Sequence, residues 1–225
     1  MPLFFSITRL KNRRIFQILA PTLQPGRLMH AVLLTAVLLL TGCSEPALPK
    51  LTATDRILAF GDSLTEGKGV HPSSSYPAVL QHIIDIPVAG EGVSGETTAE
   101  GLLRLPETLD RWQPKLVILM EGGNDILRNY PVSETRANLA QMIEIIQARD
   151  IPVVLLGIPR KRLLSDSAPF YKELAEQYEL VLEEDLVAGL IRSPSMKSDA
   201  VHFNEAGYQK LAEGIAELLR DNGAL

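Results

Sequence analysis

From Arg56 onward, apolar runs of strand length alternate five times with stretches of helical periodicity. No other feature limits the possible folds so tightly. The runs are RILAF (56–60), IPVAG (86–90), KLVILM (115–120), IPVVLLGI (151–158) and YELVLE (178–183). The third and fourth are nearly continuous apolar runs, as strands covered on both faces require. Helical patterns lie between the runs at about 76–84, 97–112, 133–148 and 168–177, and a last one spans about 204–220. In the third, Leu139, Met142, Ile143 and Ile146 recur at spacings of three and four; Leu211, Ile215 and Leu218 do so in the last. This alternation predicts an α/β domain: a three-layer sandwich with a five-stranded parallel sheet and helices on both faces. In such sheets, sites form beyond the carboxyl ends of the strands. Ser63 follows the first strand, Gly95 the second and Asn124 the third. All three are therefore predicted on one edge.

Residues 1–42 differ from the rest. They hold Arg9, Lys11, Arg13, Arg14 and Arg27, no acidic residue, and the apolar run AVLLTAVLLL at 31–40. A run of 10 residues is too short to span a bilayer and has the length of a signal-peptide core. It leads into Leu40-Thr41-Gly42-Cys43, which resembles a bacterial lipobox, and Cys43 is the only cysteine in the chain. A start at Met29 keeps the same tetrapeptide. The expected organisation is a lipoprotein signal peptide over 1–42, a lipidated Cys43 with a flexible tether to residue 55, and a folded domain over 56–225. Membrane attachment through Cys43 in the cell envelope follows. Ser44, rather than Asp, resembles the pattern for the periplasmic face of an outer membrane, where the organism has one.

The first 42 residues carry five of the 22 basic residues and none of the 27 acidic ones, so the remainder has 17 against 27 and a formal charge of −10. Phosphate binding needs concentrated positive charge, so a nucleic-acid partner is excluded. With Cys43 committed to lipid, no thiol is left for a disulfide, a nucleophile or zinc. No His/Asp/Glu cluster has metal-ligand spacing, and no cofactor is expected.

ILAFGDSLTEG, residues 57–67, places Ser63 at the end of a strand, where Gly, Asp and Ser also serve as ordinary turn residues. A serine nucleophile needs a base and a carboxylate to orient it. Of His30, His71, His82 and His202, only His202 has an acid at short range: SDAVHFN puts Asp199 three residues before it, ahead of the last helix. Asp199 can equally be a capping residue. EGGNDILR, residues 121–128, supplies Asn124 as an amide donor after two glycines, or simply a turn. Gly95 in GVSGETT offers a backbone N–H or merely ends the strand. A phosphate loop is excluded because Gly67-Lys68 arrives one residue late and Gly69 replaces the hydroxyl residue. The absence of G-x-S-x-G excludes the elbow of α/β-hydrolases.

Taken together and in order, Gly61-Asp62-Ser63-Leu64, Ser94-Gly95-Glu96-Thr97, Gly122-Gly123-Asn124-Asp125 and Asp199-Ala200-Val201-His202 resemble the SGNH hydrolases, also called the GDSL esterase/lipase family. Within it, the small bacterial thioesterase, lysophospholipase and arylesterase members are most similar. The resemblance implies a flavodoxin-like fold and a serine esterase acting on ester or thioester bonds through an acyl-enzyme. It implies Ser63, Asp199 and His202 as catalytic residues, with an oxyanion hole made by the Ser63 N–H, Gly95 and Asn124. Two departures stand out: Gly90 where many relatives have Asn, and Asp-Ala-Val-His-Phe-Asn in place of Asp-Gly-x-His-Pro. Leu163, Leu164 and Phe170, in the loop after the fourth strand, are expected to line an acyl groove. Arg160, Lys161 and Arg162 form either a solvated face or an attraction for an anionic headgroup. The expected partner is a small ester or lysolipid. Sugar O-deacetylation is the enzymatic alternative, and an envelope protein that only binds is the other.

Overall fold

The computed structural model describes residues 47–161 and 166–225. The expected signal peptide and lipidated Cys43 lie outside the described residues. Five parallel strands, β1 (Ile57–Gly61), β2 (Val88–Gly92), β3 (Leu116–Met120), β4 (Val153–Leu156) and β5 (Val181–Glu183), form one sheet in the order β2-β1-β3-β4-β5. The chain steps from β1 to β2, then crosses back to β3 and continues outward. Because parallel crossovers are right-handed, this reversal sends the intervening helices to opposite faces and opens a crevice at the carboxyl ends of β1 and β3.

The helices are α1 (Ser63–Glu66), α2 (Tyr76–Ile84), α3 (Thr98–Trp112), α4 (Gly123–Leu127), α5 (Val132–Gln147), α6 (Pro169–Tyr178), α7 (Leu186–Arg192) and α8 (Glu205–Asp221). Helices α2 and α8 pack on each other, as do α3 and α5, which together with α6 form a second layer. Every residue of β1, β3 and β4 is buried, which is why these runs lack polar alternation. Burying a side chain such as Leu or Ile stabilises the fold by about 1.5–3 kcal/mol.

The five long helices fall within a residue or so of their predicted spans. The short α1, α4 and α7 were not legible, since a helix of one or two turns has too few positions to show a period. In α8 the buried face carries Leu211, Ile215 and Leu219, while Leu218 is only partly buried. Successive steps of four keep Leu219, not Leu218, in line with Ile215.

The tether expected up to residue 55 is corrected by the structure. Leu48 and Leu51 are 3% and 5% exposed and belong to the core, and their N–H groups donate to the carbonyls of Asn222 and Ala224 at 3.0 and 2.8 Å. The folded domain therefore already includes Leu48 and Leu51. Two prolines among few apolar residues concealed a segment whose partners lie at the other end of the chain.

Candidate active site

The carboxyl ends of β1, β2 and β3 each turn at once into a loop or short helix, and a fourth loop precedes α8. Asp62 caps α1: its Oδ1 accepts from the Leu64 N–H at 3.0 Å. Ser63 is thus the first residue of that helix, and its N–H is one that a helix leaves without an intrahelical partner. Its side chain sits at the cleft floor, 9% exposed.

The loop before α8 is built to present His202. Asn204 caps the helix by accepting from the Gly207 N–H at 3.0 Å, and its Nδ2 donates to the carbonyls of Ser195 and Lys197. Phe203 is buried edge-on against Tyr208, with ring centroids 5.4 Å apart. Between these fixed points, Asp199 Oδ1 accepts from the backbone N–H groups of Val201 and His202 at 2.9 and 2.8 Å. Its Oδ2 lies 2.7 Å from His202 Nδ1, and His202 Nε2 lies 3.0 Å from Ser63 Oγ. An ionised carboxylate only accepts, so Nδ1 carries a proton and Nε2 is left to accept from the hydroxyl. Burial works to raise the Asp199 carboxyl, but the hydrogen bonds from the His202 ring and from the two N–H groups outweigh it and bring it down to about 2. Three residues separated by up to 139 positions form one chain of hydrogen bonds.

Gly95 and Asn124 line the same cleft. Gly95 adopts a φ of +81°, which glycine tolerates best, and Arg128 donates to its carbonyl at 2.8 Å. The Asn124 amide donates to the Glu96 carbonyl at 2.8 Å and to Asp62 Oδ2 at 3.3 Å. Gly122, with a φ of +103°, lets the chain pass Tyr171, whose Oη is 2.6 Å from where a Cβ would lie and donates to the Glu121 carbonyl at 2.7 Å. Asp125 is buried and accepts from the Thr98 N–H and hydroxyl at 2.9 and 2.6 Å, which ties the third strand's loop to the start of α3.

Beneath these donors lies a cluster of buried carboxyl groups. Glu96 is gripped by Arg104 through Nε and Nη2, both at 2.6 Å, and that guanidinium also stacks on Phe60 at 3.9 Å. Glu121 is fully buried, and its Oε1 has no donor among the described residues. Burial is the main reason its carboxyl is held well above the ordinary value, and the nearby Asp62 and Glu96 charges add to it. Burial likewise raises Asp62 to about 6, against the pull of the Leu64 N–H and of His202. Glu96, Arg104, Glu121, Asp125 and Tyr171 were not singled out from the sequence as supports. For Glu96, Glu121 and Asp125 the only signal was their place in the glycine-containing blocks, where charged residues near a turn read as solvated until the fold buries them; Arg104 and Tyr171 lie inside helical patterns and gave none.

A cleft of about 790 Å³ opens above Ser63. Its apolar wall includes Ile126, Leu127, Ile158, Pro159, Ala188 and Ile191. Leu163, Leu164 and Arg162 lie outside the described residues, while Arg160 and Lys161 do line the cleft. Phe170 does not, and this corrects the expectation that it forms part of an acyl groove: it is 4% exposed and packs in the core against Tyr171, ring centroids 4.4 Å apart. Pro169 starts α6 one residue earlier, and the first turn carries Phe170 inward. The groups assembled here can pass a proton from a hydroxyl to an imidazole beside an apolar trough, which suits acyl transfer.

Residues 59–210 match the GDSL-like Lipase/Acylhydrolase family. An arylesterase of Vibrio mimicus is 33% identical over 178 residues, covering 74% of this chain and 89% of the relative. Thioesterase 1/protease 1/lysophospholipase L1 of Escherichia coli K12 is 28% identical over 179 residues, covering 76% and 86%. Among solved structures, the SGNH-hydrolase family esterase AlinE4 is 34% identical with a TM-score of 0.58, covering 76% of this chain and 98% of that one. The chain belongs to the GDSL-like lipase/acylhydrolase family and is a serine esterase that hydrolyses ester bonds.

Proposed function

We propose that Ser63 is the nucleophile of a two-step hydrolysis of carboxylic esters, with monoacyl lipids as the class of natural substrate. The observation that carries this reading is the Asp199–His202–Ser63 hydrogen-bond chain at the floor of the apolar cleft. His202 Nε2 takes the Ser63 proton as Oγ attacks the acyl carbon, and Asp199 stabilises the imidazolium that results. The carbonyl oxygen, now negative, accepts from the N–H groups of Ser63 and Gly95 and from the Asn124 amide, which exchanges its long 3.3 Å bond to Asp62 Oδ2 for this one. His202 then gives its proton to the departing alcohol oxygen. Water, deprotonated in turn by His202, cleaves the acyl-enzyme and restores Ser63.

The apolar trough favours an acyl chain over acetyl. The similar protein named thioesterase 1/protease 1/lysophospholipase L1 points the same way. The test is hydrolysis of p-nitrophenyl esters from acetate to palmitate by the purified protein and by Ser63→Ala. An optimum at medium or long chains that vanishes in the variant supports the reading. An acetate optimum favours sugar deacetylation instead, and full activity in the variant removes Ser63 from the mechanism.

The same reading places the protein in the cell envelope with a lipid on Cys43. The support is the Leu40-Thr41-Gly42-Cys43 tetrapeptide after a short apolar run. Among the described residues no helix is long and apolar enough to cross a membrane. Mass spectrometry of the mature N-terminal peptide tests this: an acylated Cys43 is expected, and an unmodified residue 1 at the N-terminus overturns it.

A further inference from the structure

We propose that Arg104, which does not itself line the cleft, is a positioning residue for the oxyanion hole and sets where the Asn124 amide points. This rests on the acyl-enzyme reading above, in which that amide receives the negative oxygen.

The need arises in the donors themselves. An amide turns easily about its last side-chain bond, so hydrogen bonds fix its direction. Asn124 Nδ2 donates to Asp62 Oδ2 at 3.3 Å and to the Glu96 carbonyl at 2.8 Å. The longer bond is the one given up to the substrate oxygen, so the Glu96 carbonyl keeps the amide aimed while the reaction runs. Gly95, the other loop donor, is the residue before Glu96 and has no side chain of its own to anchor it. Both donors therefore depend on where Glu96 stands.

Arg104 decides that place. Its Nε and Nη2 donate to the two Glu96 carboxylate oxygens, both at 2.6 Å, in the parallel fork that a guanidinium offers and an ammonium does not. Nη2 also donates to the carbonyls of Gly61 and Glu91 at 3.2 and 3.0 Å. Gly61 is the last residue of β1, two before the nucleophile, and Glu91 lies at the end of β2. One side chain thus ties the strand that delivers Ser63 to the loop that delivers Gly95. The guanidinium is itself fixed, lying 3.9 Å over the Phe60 ring with Nη1 3.8 Å from Glu91 Oε2.

The third strand joins through Glu121, three residues before Asn124. Glu121 Oε1 and Glu96 Oε2 each lie 3.4 Å from the point where a Cβ on Gly101 would stand, so the two carboxyl groups converge there. Burial keeps a proton on Glu121, which therefore meets Glu96 as a donor rather than as a second charge. The loops after β1, β2 and β3 each bring one group to the oxyanion, and all three are held by the Arg104–Glu96 pair beneath them.

The test measures kcat and KM on p-nitrophenyl butyrate for Arg104→Lys, alone and in an Asn124→Ala background, below the melting transition and with folding checked by circular dichroism. Lysine keeps the charge beside Glu96 but cannot reach all four acceptors. In the parent background kcat is expected to fall about 10-fold or more while KM stays within about threefold, the pattern of a donor displaced where the oxyanion forms. With no amide left to aim, the same change in Asn124→Ala should cost less than about threefold. Arg104→Met/Glu96→Gln, which leaves no unpaired charge behind, is the second variant and should lose about 10²-fold in kcat. The proposal is overturned if both variants keep kcat within about twofold of the parent, if Arg104→Lys costs as much without the Asn124 amide as with it, or if neither variant folds, since Arg104 is then a residue of the fold alone. Hydrolysis by Ser63→Ala as fast as by the parent overturns the acyl-enzyme reading instead, and the positioning role with it.

Discussion

The two edges of the sheet are built on different terms. At the amino edge, Leu48 and Leu51 join the core and their N–H groups close onto Asn222 and Ala224, so apolar burial and paired backbone are combined. At the carboxyl edge the chain buries Asp62, Glu96, Glu121 and Asp125 and turns through left-handed glycines at 95 and 122. Buried carboxyl groups are costly unless paired or protonated. The edge with the costly buried carboxyl groups is the edge that holds the candidate site residues Ser63, Gly95 and Asn124. The cost is offset by the three layers of apolar packing behind it.

Four outcomes would sharpen or break this contrast. The largest effect is expected from Ser63→Ala, a loss of about 10⁴-fold or more in kcat on a p-nitrophenyl ester with little change in melting temperature. An equal fall in stability would mean that this edge is structural as well. Next, Asn124→Ala should lower kcat by about 10²–10³-fold, as expected for one lost oxyanion donor. A change confined to KM would assign the amide to binding.

Leu51→Ala reverses the pattern. It is expected to destabilise the fold by about 2–4 kcal/mol in urea denaturation while kcat at a temperature below the transition stays near that of the parent. If kcat fell in step, the two edges would be coupled.

The smallest effect concerns pH. The folded state keeps a proton on Glu121 above the pH at which the unfolded chain has lost it. The folded state therefore binds more protons, and stability falls as pH rises above the ordinary carboxylate value of 4.5 toward the raised one. Asp62 adds to this fall up to about 6. Glu121→Gln keeps a donor toward Glu96 and removes one titration. Its stability relative to the parent should therefore be higher at pH 8 than at pH 5, read from urea midpoints, and a gap that does not change between the two would show that Glu121 is charged in the fold.

Strands β1, β3 and β4 were legible because residues buried on both faces leave no room for polar alternation, whereas β2 and β5, at the sheet's edges and only partly buried, carry that signal less strongly. Ser63, Gly95, Asn124, Asp199 and His202 were legible as candidates because each sits in a short glycine- or acid-containing block after an apolar run. The reading failed at Phe170, where an apolar residue in a loop next to the site was taken for its lining. It failed again at Leu48 and Leu51, whose partners are more than 160 positions away in the chain.

By itself, then, the sequence determined the layer architecture and the candidate residues of the site, since both are carried by local pattern: burial periodicity, turn residues and the spacing of Asp199 from His202. Only the tertiary structure decided which apolar side chains line the cleft, which carboxyl groups are buried and that five basic residues share the cleft's lining. Those properties depend on what surrounds a residue in space, and contacts between distant segments leave no periodic trace in either one.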